Sequence, residues 1–287
     1  MIRLYTFQKM NQLFNGKTEN IKASSFVNGF SIDSRTLKRG DVFFCLKGEK
    51  TDGHVYIPDA IARGASAVVA NPKNISDNLL KQDIPRILVN DPNIAFCEWA
   101  SDYRKQFKGK VIAITGSNGK TTTKEILTNL CSIFDPNTSS TPGNYNNKIG
   151  VPITLLNANI EAKWWVVEIG TNHFGEVEYL SKIVHPSAAI ITNIGESHIE
   201  FLKSTEGVAR EKSGLFSGME NGSNLVIPES IMHKEFLEKN AINSGLNVTK
   251  TIQISADYSF LKTKFKLFDN EFKTSIKNPL ILQNLVL

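Results

Sequence analysis

From Val111 onward the chain alternates short continuous apolar runs with amphipathic stretches. VIAIT, WWVVEI, AAIITNI and NLVIP are runs without polar interruption, a pattern that suits strands buried on both faces of a parallel sheet. Between them, the segment from Thr121 to Phe134 places Ile126, Leu127, Leu130 and Phe134 on one side of a predicted helix. A second helix is predicted from Gly175 to Ile183, ahead of the turn Val184-His185-Pro186. Strand, glycine turn and helix in repetition predict a mostly parallel α/β unit.

The preceding residues have a different rhythm. Strands are predicted at Asp41 to Leu46, Ala67 to Ala70 and Arg86 to Val89, with a helix from Tyr56 to Arg63 stopped by Gly64. A longer helix from Asp91 to Phe107 opens with Asp91 as N-cap and Pro92 in its first turn, and carries Ile94, Ala95, Trp99 and Tyr103 at helical spacing. Gly109 and Lys110 then mark a boundary, so the expected domains are 1–108, small and mixed α/β, and 109–287. After about Gly245, KFKLFDNEFKTSI reads as two antiparallel strands around an Asp269-Asn270 turn. The final NPLILQNLVL has apolar content without a complete helix or a closing cap, and the expectation is a chain truncated inside an element.

Composition narrows the classes. A length of 287 residues allows about two domains, and 41% apolar with 21% charged residues is an ordinary globular balance that excludes wholesale disorder. A net charge of +5 without long basic runs suits small anionic substrates and argues against nucleic acid as partner. Cys45, Cys97 and Cys131 are far apart in apolar stretches and read as reduced core residues. No segment has the apolar length of a secretory signal or a membrane span, so a cytoplasmic location is expected.

The strongest chemical signal is Thr115-Gly116-Ser117-Asn118-Gly119-Lys120-Thr121-Thr122, set between a predicted strand and helix. In a phosphate-binding loop, Gly116 and Gly119 take conformations closed to other residues, and the N–H groups of the loop and helix start face an anion. Lys120 then reaches the terminal phosphates and the Thr121 hydroxyl can ligate Mg²⁺. Position 114 is Ile, a departure from the strict form of the motif, which has Gly there. Glu168 ends a buried strand at the edge where ligands of parallel sheets collect, and a carboxylate there can bind the cation of a nucleotide. His198 follows the next strand and should emerge on the same edge. Lys212, in VAREKSG, reads on its own as a solvated helix charge.

Five ordered blocks resemble the central domain of the Mur ligases: TGSNGKTTT from Thr115, GNYNNKIGVP from Gly143, EIGTNHFGE from Glu168, TNIGESHIE from Thr192 and AREKSGLF from Ala209. SIDSRTLKRGDVFFCLKGEKTDGHVYI is similar to that family's UDP-sugar-binding domain, so the likeness covers residues 20 to 240. The form of the second and third blocks resembles the member that adds D-alanyl-D-alanine to UDP-MurNAc-tripeptide. A sister ligase adding one amino acid, or a binding fragment without catalysis, are the alternatives.

The resemblance implies an ATP-dependent ligase of peptidoglycan precursor synthesis that works through an acyl phosphate. It implies that Lys120 holds ATP phosphates, that Thr121 and Glu168 take a first Mg²⁺, and that His198 and a carbamylated Lys212 serve a second. Asn144 and Asn147 would position substrate and nucleotide, and Ser34, Arg35, Lys47, Gly48 and His54 match blocks that contact the uridine nucleotide. Family members continue into a third domain that binds the incoming amine, and that domain is not recognisable here. A monomer is expected.

Overall fold

The computed structural model describes residues 5–251 together with the backbone of 263–267 and 270–274. It forms two compact units, Met1–Gln106 and Phe107–Leu287.

The first unit contains α1 (Phe7–Leu13), β1 (Lys17–Glu19), β2 (Gly29–Ser31), β3 (Asp41–Phe44), α2 (Ile57–Ala62), β4 (Ala67–Ala70), α3 (Asp77–Leu80), β5 (Arg86–Leu88) and α4 (Pro92–Gln106). Its sheet runs β1-β5-β4-β3-β2, with β2 to β5 parallel and β1 antiparallel to β5. Asp91 Oδ1 accepts the N–H groups of Asn93 at 2.8 Å and Ile94 at 3.3 Å, so the expected cap starts α4. That helix buries Ala95, Phe96, Trp99, Ala100 and Tyr103. Phe44 lies parallel to Trp99 with ring centroids 5.5 Å apart and tilts against Phe96 at 5.0 Å. Ile94 corrects the expected stripe: it is 53% exposed, because at 3.6 residues per turn it lies nearly opposite the face that Ala95, Phe96, Trp99, Ala100 and Tyr103 turn inward.

The second unit contains β6 (Lys110–Thr115), α5 (Lys120–Phe134), β7 (Ser139–Ser140), α6 (Gly150–Asn157), β8 (Trp164–Glu168), α7 (Glu176–Val184), β9 (Ala188–Ile191), α8 (Ile199–Leu202), α9 (Thr205–Ser213), β10 (Asn224–Pro228), α10 (Lys234–Asn243) and β11 (Asn247–Thr251). All six strands are parallel, in the order β11-β10-β9-β6-β8-β7. The four apolar runs are four of these strands; β9 is shorter than its run and ends at Ile191. Two antiparallel strands follow, β12 (Thr263–Leu267) and β13 (Asn270–Thr274), paired as the sequence predicts. Asp269 of the expected turn and the terminal NPLILQNLVL lie outside the described residues.

Helix α5 departs from the sequence reading. Thr123, Lys124 and Cys131 are buried, with Leu127 packed on the core beneath, whereas Leu130 is 50% and Phe134 75% exposed. Two faces of this helix carry apolar residues, and the inward one also holds the polar pair, so the period alone selects the wrong face. Cys45, Cys97 and Cys131 are all buried, and none of the three is in a disulfide. Among the described residues no helix is long and apolar enough to cross a membrane.

Candidate active site

Strand β6 lies between β8 and β9, and the chain passes to β8 on one side before crossing to β9 on the other. The connections therefore diverge from the carboxyl end of β6 and open a crevice there, the usual ligand position in such sheets. Three loops meet at that edge: the one after β6, the one after β8 and the one after β9.

The first loop is fixed by its neighbours. Gly116 has φ +150°, and a Cβ on it would collide with Thr192 Oγ1. Ser117 N–H donates to Asn193 O at 3.1 Å, and Asn118 N–H to Asn193 Oδ1 at 2.8 Å. The Thr192 hydroxyl donates to Asn118 O at 2.6 Å, and Gly195 N–H to Ser117 Oγ at 2.9 Å. Gly119, at φ +81°, turns the chain into α5, whose start carries no side-chain cap. The first N–H groups of α5, which include those of Thr121 and Thr122, are thus left for an anion. Lys120 Nζ folds over the loop, donating to Gly116 O at 2.8 Å and Ser117 O at 3.2 Å. Burial lowers its pKa, with the Glu168 carboxylate opposing that shift.

Glu168, 1% exposed at the end of β8, receives one donor on each oxygen. The Thr121 hydroxyl donates to Oε2 at 3.0 Å, and Asn146 Nδ2 to Oε1 at 2.7 Å. Its own N–H donates to Thr141 Oγ1 at 2.9 Å. Among the described residues no three His, Cys, Asp or Glu side chains form a ready-made metal cage. A single carboxylate beside a hydroxyl is the hard-oxygen pair that suits Mg²⁺, which keeps its waters and takes further ligands from phosphates.

The third part is cationic. Lys212 on α9 is 2% exposed, correcting the reading of it as a solvated charge. Burial, aided by the Lys120 charge, lowers its pKa to about 7 while Glu211 opposes. His198 precedes α8 with a left-handed backbone (φ 55°), and its pKa is lowered by burial and then by the charges of Lys212 and Lys120. The electrostatics thus group Lys120, His198 and Lys212, as expected of residues on one sheet edge.

Other expected residues fall differently. Asn147 Oδ1 accepts the N–H groups of Ile149 at 3.1 Å and Gly150 at 2.8 Å, shaping the entry to α6, while Asn144 is exposed in the same loop. Asn146, between them, is the residue that reaches Glu168, and three asparagines in close succession gave no means of selecting it. Glu211 was also missed: it accepts from Thr171 Oγ1 at 3.0 Å, Gly175 N–H at 2.6 Å and Val177 N–H at 2.8 Å, holding the loop after β8 to α9. Its place beside Lys212 in the chain was the available signal.

In the first unit, Arg35 is exposed and paired with Asp33 at 2.7 Å, and Ser34 is buried and bonded to Asp59. Lys47 is exposed, its backbone N–H bonded to Asn93 Oδ1 at 2.9 Å, and Gly48 N–H donates to Thr51 O at 2.9 Å. His54 is buried as well. It is 4% exposed, accepts the Asn71 N–H on Nε2 at 2.9 Å and meets Asp52 Oδ1 through Nδ1 at 2.5 Å, leaving no ring nitrogen for a ligand.

Residues 114–283 match the Mur ligase middle domain, and 26–103 match the Mur ligase family catalytic domain. The UDP-N-acetylmuramoyl-tripeptide–D-alanyl-D-alanine ligase of Haemophilus influenzae is 34% identical over 252 residues, covering 86% of this chain and 53% of that protein. Its Escherichia coli counterpart is 32% identical over 276 residues, 96% of this chain and 58% of that protein. A crystal structure of MurF from Acinetobacter baumannii superposes with TM-score 0.84 at 28% identity, covering 98% of this chain and 62% of that one. MurF from Thermotoga maritima in complex with ADP gives 0.76 at 28% identity, covering 90% and 61%. The chain thus spans between half and two-thirds of the length of these relatives. With its phosphate loop, Glu168 and Lys212 lying inside the matched middle domain, the chain belongs to the Mur ligase family.

Proposed function

We propose that this chain carries out the ATP-dependent joining of D-alanyl-D-alanine to UDP-MurNAc-tripeptide in peptidoglycan precursor synthesis. The observation that carries the reading is the meeting of Lys120, the Thr121–Glu168 pair, His198 and Lys212 at one sheet edge. The names of the two bacterial relatives and the ADP-bound neighbour support it.

In the first step a carboxylate oxygen of the tripeptide attacks the γ-phosphorus of ATP, forming an acyl phosphate and releasing ADP. Lys120, released from its loop carbonyls, places positive charge against the γ-phosphoryl oxygens, and the first N–H groups of α5 hold the phosphates. In the second step the D-alanyl-D-alanine amine attacks the acyl carbon, inorganic phosphate leaves, and the amine loses a proton as the amide forms. Thr121 and Glu168 would hold one Mg²⁺, and His198 with Lys212 a second. Bound Mg²⁺ supplies charge neutralisation between the two anionic reactants. Near neutral pH the Lys212 amine is in part uncharged and can add CO₂, giving a carbamate and a proton; the carbamate is the anionic form a cation needs.

Ser34, Arg35, Lys47 and Gly48 belong to the unit that would bind the uridine nucleotide, within an N-terminal domain of 1–108. Asn144 and Asn147 would flank the substrate. The protein would act as a cytoplasmic monomer without nucleic acid. The test is to incubate the 287-residue chain with ATP, MgCl₂, UDP-MurNAc-tripeptide and D-alanyl-D-alanine, beside Lys120→Ala. Formation of UDP-MurNAc-pentapeptide and ADP that stops in the variant is expected. A chain that binds ADP and the UDP-sugar yet forms no pentapeptide would overturn the reading.

A further inference from the structure

Lys124 is a lysine with no exposed surface, one turn beyond Thr121 on α5. A buried ammonium is costly unless each of its three protons finds an acceptor. Here two of them go to main-chain carbonyls, Thr141 O at 2.8 Å and Gly143 O at 3.2 Å, and the Glu125 carboxylate stands 2.9 Å from the ammonium as its ion-pair partner. Both hydrogen-bond acceptors are main-chain carbonyls of one loop, so the charge serves to hold that loop against the helix.

The same loop reaches Glu168. Thr141 Oγ1 accepts the Glu168 N–H at 2.9 Å, Asn146 Nδ2 donates to Glu168 Oε1 at 2.7 Å, and Asn146 O accepts the Gly170 N–H at 2.8 Å. The circuit closes through Thr121, whose hydroxyl meets the other oxygen of Glu168 at 3.0 Å. From helix to loop to strand end and back to helix, the link made by a cation is Lys124. A hydrophobic side chain at this place would fill the volume and leave two loop carbonyls without donors.

We propose that Lys124 is a positioning residue, which fixes the orientation of Glu168 toward its cation by clamping the 141–146 loop to the phosphate-loop helix. This rests on the reading of Thr121 and Glu168 as a Mg²⁺-holding pair for a nucleotide. Lys124 itself touches neither phosphate nor cation. It acts through Asn146, so its loss should weaken the part of nucleotide affinity that depends on the cation and spare the part due to Lys120 and the loop N–H groups.

The experiment is ADP titration of the full chain by calorimetry, with and without MgCl₂, for wild type, Lys124→Met, Asn146→Ala and the double variant. Wild type tests the underlying reading: absence of any Mg²⁺ enhancement would overturn that reading itself. Given enhancement, Lys124→Met is expected to reduce it about tenfold while Mg²⁺-free affinity stays within about twofold, and the double variant to lose no more than the larger single loss, as coupled residues do. Lys124→Arg, which keeps the charge, is expected to recover most of the enhancement. Equal loss with and without Mg²⁺, or additive losses in the double variant, would overturn the proposal. If Lys124→Met does not fold, Lys124→Gln, which keeps a donor at the same place, is read by the same ratio.

Discussion

The Thr121 hydroxyl and Glu168 Oε2 lie 3.0 Å apart, joining the start of the phosphate-loop helix to the end of the adjacent strand. The hydroxyl is a donor to the carboxylate; on a cation the same oxygen would present a lone pair, so ligation needs only a rotation about one bond. Glu168→Gln keeps shape and both neighbours while removing the charge. It should leave the urea midpoint close to wild type and lower the Mg²⁺ enhancement of ADP affinity by about tenfold or more, the scale on which a charge acts in a site that excludes water. Calorimetric titration decides it, and full enhancement in the variant would remove Glu168 from the cation site.

Lys212 gives a dependence on pH. Its folded pKa, near 7, lies far below the 10.5 of a free lysine, so between those values the unfolded chain binds the extra proton. Stability should accordingly rise with pH across that window and level off above it. Below about pH 7 both states are protonated and the full desolvation penalty is present. In CO₂-depleted buffer at pH 7, Lys212→Met should raise the Tm by several degrees. Supplying ¹³C-bicarbonate to wild type above pH 7 should produce a carbamate carbon signal that the methionine variant lacks.

Gly116→Ala tests the backbone requirement. At φ +150° with Thr192 Oγ1 in the way, an added methyl forces the loop off Asn193. A loss of about 2 to 4 kcal/mol in urea unfolding is expected, with ADP binding abolished. An unchanged midpoint would mean that the loop yields freely.

In the first unit, His54 and Arg35 should separate cleanly. Removing the His54 ring leaves the Asn71 N–H without its acceptor and opens a cavity, while Asp52 keeps the His54 backbone N–H, and His54→Ala should cost about 2 to 4 kcal/mol. Arg35 is surface-paired, and Arg35→Ala should leave the unfolding midpoint unmoved while weakening UDP-sugar binding. Comparing the two by urea unfolding and UDP titration would expose a reversed assignment.

What could be read from the chain follows from the range of the interactions involved. The phosphate loop was legible because its glycines, lysine and threonine are consecutive and answer to local backbone geometry. Glu168 was legible because it ends an apolar run. Asn146 and Lys124 were not, since their partners at Glu168, Thr141 and Gly143 are set by how loops return to the sheet, and a lysine in an amphipathic helix normally reads as solvated. Lys212 needed the family resemblance, because its burial depends on the packing of α9 beside α7 and α8 and on no feature of its own segment. The outward turn of Leu130 and Phe134 was hidden for the same reason.

The crevice is assembled from distant stretches of chain: Ser117 bonds to Gly195 across 78 positions, and Thr121 to Glu168 across 47. Such long closures make a slow-forming nucleus, since chain entropy is surrendered before the bonds that offset it can form. The central strand β6 is the earliest of its sheet to be synthesised, and it must wait for β9 before its loop has a wall to rest against. A nucleotide can therefore grip only a chain whose sheet is already complete, and through mass action it should act as a late-stage folding ligand that drains partly folded forms toward the native state.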